Sequence, residues 1–155
     1  MGKNGFNGNM DAFERVFGSV IFALYDFADP TKAGDADWNR QTGAGLIRLD
    51  PAIMDWTNVV HEMGHLFSWT YRRELKDDSL PSYMQTYPNI FDAGTGATRY
   101  AQTKNSPTED FADSFLAVIE YGPKKVFGHG VDQPRLNVII ALIQSYTSPD
   151  LPGGK

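Results

Sequence analysis

Apolar residues in this chain gather into a few short runs, separated by long polar stretches rich in turn formers. Asp11 is placed to cap a short helix ending near Gly18, and Ser19 to Tyr25 (SVIFALY) is an unbroken apolar run of strand length. It predicts a buried strand. From Asp26 to Gly45 the density of Asp, Gly, Pro and Thr predicts a long loop. Leu46 to Leu49 (LIRL) alternates Leu46 and Arg48 with Ile47 and Leu49, the pattern of a strand covered on one face. Val59, Met63, Leu66, Phe67 and Thr70 then recur at intervals of three and four, so the longest helix should run from Ile53 or Thr57 to Leu75. Residues 76–105, broken by Pro81, Pro88, Gly94 and Gly96, predict mostly loop with short turns. A second helix is expected from Pro107 to Tyr121, stopped by Gly122, and a third from Pro134 to Tyr146.

A length of 155 residues suits one core, so we expect a single compact domain over 1–155, with 1–10 and 148–155 flexible. The fold class implied is α+β. Fourteen Lys plus Arg stand against 19 Asp plus Glu, a formal charge of −5 that argues against a nucleic-acid partner. The longest uncharged apolar runs, Val16 to Tyr25 and Leu136 to Ile143, fall short of the roughly 18 to 20 residues a membrane span needs. The first ten residues have no apolar segment of signal-peptide type, and compartment stays open. Cysteine is absent, which excludes disulfides, thiolate metal sites and thiol nucleophiles. Any metal must be held by nitrogen and oxygen.

His61-Glu62-Met63-Gly64-His65 places an HExxH sequence inside the longest predicted helix. Residues four apart on a helix project from one face about 6 Å apart along the axis, so both imidazoles can reach one Zn²⁺. Glu62 emerges beside them, within reach of a metal-bound water rather than the metal. With three His and five Glu in the chain, the pattern arises by accident with a probability of about 0.002. The bland alternative is a pair of hydrogen-bonded helix-face histidines with Glu62 solvated.

A catalytic zinc needs a third protein ligand and an open position. The remaining histidine, His129, sits in a Gly-rich stretch (FGHGV) and suits a turn or surface role. Glu109 and Asp113, again four apart on a predicted helix, are better placed. One can bind metal while the other accepts the free ring N–H of a ligating histidine. Two readings compete at Glu109, because Ser106, Pro107 and Glu109 also have the spacing of a helix capping box. Asp110 falls on a different face from Asp113 and is expected to be solvated. Gly64, between the histidines, leaves room for another element to pack closely on the helix. Trp56, Phe67, Trp69, Phe111, Phe115 and Ile139 are expected in the core.

His61, Glu62 and His65 followed by Glu109 and Asp113 resemble the gluzincin pattern, HExxH then ExxxD, of thermolysin-like zinc metallopeptidases. The segment from Tyr100 to Asp113 is most similar to the lethal-factor and Pro-Pro endopeptidase group. The likeness covers about Leu46 to Phe115. It implies a zincin-like fold, with a small twisted, mainly antiparallel sheet packed on the HExxH helix and on a second ligand-bearing helix. It also implies one Zn²⁺ on His61, His65 and Glu109, Asp113 behind a histidine, and Tyr100 facing the site. The gap of nine residues from Tyr100 to Glu109 is slightly long for that group, and His129 is the other candidate for an oxyanion donor. In zincins an edge strand ahead of the metal helix pairs with the substrate, which here points to Gly45, Leu46, Ile47 and Arg48. An ordinary edge strand protected by loops is the other reading of the same residues. The implied activity is that of an endopeptidase acting on a peptide or protein substrate, with Glu62 assisting attack of the zinc-bound water. Secretion would accompany the resemblance. The competing reading is a catalytically silent, zinc-stabilised interaction module, and oligomeric state is open on either.

Overall fold

The strand read at Leu46–Leu49 is the middle of a three-stranded sheet rather than its edge. In a computed structural model, which describes residues 10–39, 41–75, 98–104, 106–122 and 131–147, the chain is α+β. Helix α1 (Met10–Phe17) leads into β1 (Val20–Leu24), β2 (Gly34–Trp38) and β3 (Gly45–Leu49). Helices α2 (Trp56–Leu75), α3 (Arg99–Lys104), α4 (Pro107–Tyr121) and α5 (Gln133–Thr147) follow. The sheet order is β1-β3-β2. β1 runs parallel to β3, pairing Val20 with Gly45 and Leu24 with Leu49, and β2 runs antiparallel, pairing Gly34 with Leu49 and Trp38 with Gly45. The sheet is therefore mixed, not mainly antiparallel. No helix among the described residues is long and apolar enough to cross a membrane.

β2 lies inside the stretch 26–45 expected to be loop. Its sequence, GDADW, is poor in strand formers, so local propensity hides it. Cross-strand chemistry holds it instead. Asp35 stands opposite Arg48 and accepts from its Nε at 2.6 Å and its Nη2 at 3.0 Å, while Lys32 Nζ donates to the same carboxylate at 2.7 Å. The turn into β3 is tied by Asn39, whose Oδ1 accepts the Gln41 and Thr42 amides at 3.0 Å.

Alternation along β3 sets the inside of the sheet. Ile47 and Leu49 are buried under α2, and Leu46 and Arg48 face outward. α2 packs mainly on β2 and β3. The run SVIFALY is thus a strand, as expected, but an exposed one: Ile21, Phe22 and Leu24 keep 55%, 54% and 70% of their surface. Trp56 at the start of α2 is exposed as well and lies outside the core. On its other flank α2 packs against α4, and Phe67 links the layers, with ring centroids 6.2 Å from Phe17, 6.2 Å from Phe111 and 5.1 Å from Phe115. Leu136 and Ile139 of α5 and Val16 of α1 complete that core, where each fully buried large side chain contributes about 1.5–3 kcal/mol.

Two contacts fix α4. At Gly64 of α2 an added Cβ would stand 2.9 Å from the Ala112 Cα and 3.1 Å from its carbonyl oxygen, so the helices meet backbone to backbone. Asp110, expected to be solvated, is fully buried, because Arg135 of α5, itself only 3% exposed, grips it. Arg135 Nε lies 3.1 and 3.0 Å from its two oxygens and Nη2 lies 2.7 Å from Oδ2. This charge pairing keeps the first turn of α4 against α5.

Arg135→Ala leaves the Asp110 carboxylate buried without its cation and should cost about 3–5 kcal/mol in urea unfolding. Gly64→Ala should cost about 1–3 kcal/mol by forcing α2 from α4, read as a drop in melting temperature.

Candidate metal centre

α2 is aligned by its start. The Asp55 Oδ1 accepts the amides of Thr57 at 2.8 Å and Asn58 at 3.1 Å, and Asn58 Oδ1 returns to the Asp55 amide at 2.8 Å. A reciprocal cap of this kind fixes where the helix begins and hence which way His61, six residues on, projects. His61 and His65 share a face, their rings 4.8 Å apart between centroids and nearly perpendicular at 86°. Their Nε2 atoms are 3.1 Å apart.

α4 brings the third group. Ser106 is its N-cap, with Pro107 in the first turn, and the Ser106 hydroxyl takes the Glu109 amide at 3.5 Å. Only that half of the capping box forms. The Glu109 side chain turns away from its own backbone, and Oε2 sits 3.1 Å from His61 Nε2 and 3.4 Å from His65 Nε2. His61, His65 and Glu109 form a group that could hold a metal ion. Four ligands about 2.05 Å from a tetrahedral zinc lie about 3.3 Å from one another, and this triangle has edges of 3.1, 3.1 and 3.4 Å. Two imidazoles and one carboxylate are a nitrogen and oxygen donor set of the kind that holds a divalent transition-metal ion.

Behind the triangle, the His61 Nδ1–H donates to Asp113 Oδ1 at 2.7 Å, which points Nε2 at the centre. The other Asp113 oxygen accepts the hydroxyl proton of Thr98, a residue that sequence reasoning missed. Neither spacing nor periodicity marks it. Burial would lower the His61 pKa, but Asp113 and Glu109 outweigh it and raise it to about 10. Burial likewise opposes ionisation of Glu109, and its hydrogen bonds to His61 and His65 prevail, holding the carboxyl well below the usual range.

Glu62 is not a corner of this triangle. It is 7% exposed, its Oε1 would stand 3.2 Å from a Cβ at Gly34 of β2, and no described residue gives it a hydrogen bond. Burial pushes its carboxyl up, against a smaller pull from His65 and His61. Tyr100 lies in α3, a short helix where loop was expected, half-exposed, its ring centroid 6.1 Å from that of His61. Burial raises its hydroxyl to about 12, Glu109 and Asp113 adding to this, so it stays a donor at neutral pH.

The strand-pairing role expected of Gly45, Leu46, Ile47 and Arg48 is not possible in this sheet, because β3 is hydrogen-bonded on both sides. Gly45 is needed for α2, since a Cβ there would meet Leu66 Cδ1 at 2.7 Å. Arg48 is paired with Asp35. His129 lies outside the described residues.

Without metal, His61 carries a proton in the fold at a pH where the unfolded chain, with a pKa near 6.5, has lost it. That stabilisation is complete below about pH 6.5 and disappears as pH rises through about 10. The melting temperature of metal-free protein should therefore fall between pH 7 and 10, and saturating zinc should flatten the profile. Zinc uptake near pH 7 should also acidify an unbuffered solution, and His61→Ala should abolish both effects. Comparison with family models, with curated proteins and with solved structures gives no match to this chain.

Proposed function

We propose that this chain is a zinc-dependent endopeptidase of gluzincin type, with His61, His65 and Glu109 as ligands and Glu62 as general base. The observation that carries the reading is the division of labour among the acidic groups. Glu109 closes a zinc-sized triangle with the two histidines, while Glu62, from the same helical turn, is buried beside it and takes no part. A structural site has no use for that second glutamate.

Zinc bound there would lower the pKa of a water in its open position toward about 7 and polarise the substrate carbonyl. Glu62, whose burial raises its proton affinity, would serve as the base that accepts a proton from the attacking water and returns it to the departing amine. Tyr100 donates its hydroxyl to the carbonyl oxygen as charge develops there. Asp113, by accepting from Nδ1, would hold His61 in the tautomer whose Nε2 can ligate a metal. For the substrate backbone the free edge of β2 replaces β3. β2 carries Gly34 against Glu62, and no strand among the described residues pairs with its outer side. An extended peptide added there would run past the general base.

Glu62→Gln should retain zinc and lose about 10²-fold or more of its turnover, measured on a peptide library by mass spectrometry with and without chelator. Parent-like cleavage by that variant would remove Glu62 from the mechanism. A parent that binds zinc and cuts nothing would favour the silent interaction module.

A further inference from the structure

The Thr98 hydroxyl joins two parts of the site that the sequence keeps apart. Thr98 is the residue before α3, and its Oγ1 accepts the Ala101 amide at 3.1 Å while its carbonyl takes the Gln102 amide at 3.1 Å. It is the N-cap of a helix of six residues, too short to hold itself together by propensity. The same hydroxyl gives its proton to Asp113 Oδ2, and Asp113 Oδ1 receives the His61 Nδ1–H at 2.7 Å. The Thr98 hydroxyl has one proton to give and a carboxylate oxygen accepts, which sets the direction of that bond. Asp113 is thus held by both oxygens, and its plane is set before it meets His61. Two residues beyond Thr98, the Tyr100 ring reaches His61 edge to face, at 77°.

We propose that Thr98 is a positioning residue. Through one oxygen it orients the carboxylate behind His61 and seats the helix that presents Tyr100, so that metal ligation and the oxyanion donor are aligned from a single point. The kinetic part of this rests on the endopeptidase reading, whereas the geometric part rests only on the contacts above.

Three variants separate donor from cap. Ser keeps both bonds, Val matches the shape without a hydroxyl, and Gly caps nearly as well as Thr but has nothing to donate. In the whole chain, Thr98→Val and Thr98→Gly should weaken zinc binding by about three- to tenfold in chelator competition. Both should lose the nuclear Overhauser contact between the Tyr100 and His61 rings, and Thr98→Ser should keep parent values. If the parent cleaves peptide, both should lower kcat about tenfold or more with KM little changed, and the loss should shrink in a Tyr100→Phe background. Parent-like zinc affinity and ring contact in Thr98→Gly would reduce Thr98 to a helix cap and overturn the proposal. Equal losses in Thr98→Ser would overturn it too. Absence of peptide cleavage by the parent would sink the endopeptidase reading alone, since zinc affinity and ring contact still decide the role of Thr98. Should Thr98→Val not fold, the Gly and Ser variants carry the same comparison.

Discussion

At Gly64 the backbones of α2 and α4 come closer than any side chain would permit, and the candidate centre exists because of it. His61 and His65 flank that glycine on one helix, and Glu109 and Asp113 flank Ala112 on the other. Imidazole and carboxylate side chains are short. Only a contact this tight brings Glu109 Oε2 to both Nε2 atoms while Asp113 reaches the far nitrogen of the same ring. The apolar layer around Phe67 presses the helices together, and the glycine decides how closely they approach.

That proximity has an electrostatic consequence. Glu109 and Asp113 meet the two imidazoles with Glu62 buried nearby, and burial opposes ionisation of Glu62 and of Glu109. A proton on His61 satisfies part of the imbalance, and a divalent cation would satisfy more of it. The chain neutralises its other buried acid differently. Asp110, next to Glu109, is given its own guanidinium from α5, so it does not compete for the centre. Adjacent carboxylates, one facing α2 and the other α5, thereby serve separate ends.

Helical features were legible in the sequence because they are local. α4 has the bounds read from Pro107, Tyr121 and Gly122, and the four-residue spacing of His61 and His65 translates directly into a shared face. The ambiguity at Glu109 was real in one dimension, since the Ser106 cap does form; the presence of two histidines opposite decides the rotamer. What escaped was set by partners distant along the chain. β2 is a strand because Arg48 and the backbone of β3 make it one, against its own composition. Asp110 is buried because Arg135 is waiting for it, and Thr98 matters because Asp113 lies across the fold. Exposure of Ile21, Phe22 and Leu24 follows from where α2 packs, mainly on the other two strands.

The two borders of the sheet are consequently unlike in chemistry. β2 carries Asp35 and Asp37, whereas β1 offers Ile21, Phe22 and Leu24 with no lysine, proline or bulge to discourage another chain from adding to it. A five-residue uncharged ribbon of this kind is a template for stacking in crowded solution, and among the described residues no strand shields it. Dispersal of the native protein then falls to mutual repulsion from its net charge of −5, a long-range force that salt weakens and acidification toward the pI near 5.0 removes. Colloidal behaviour is in this way coupled to a strand whose apolar side chains α2 leaves in solvent.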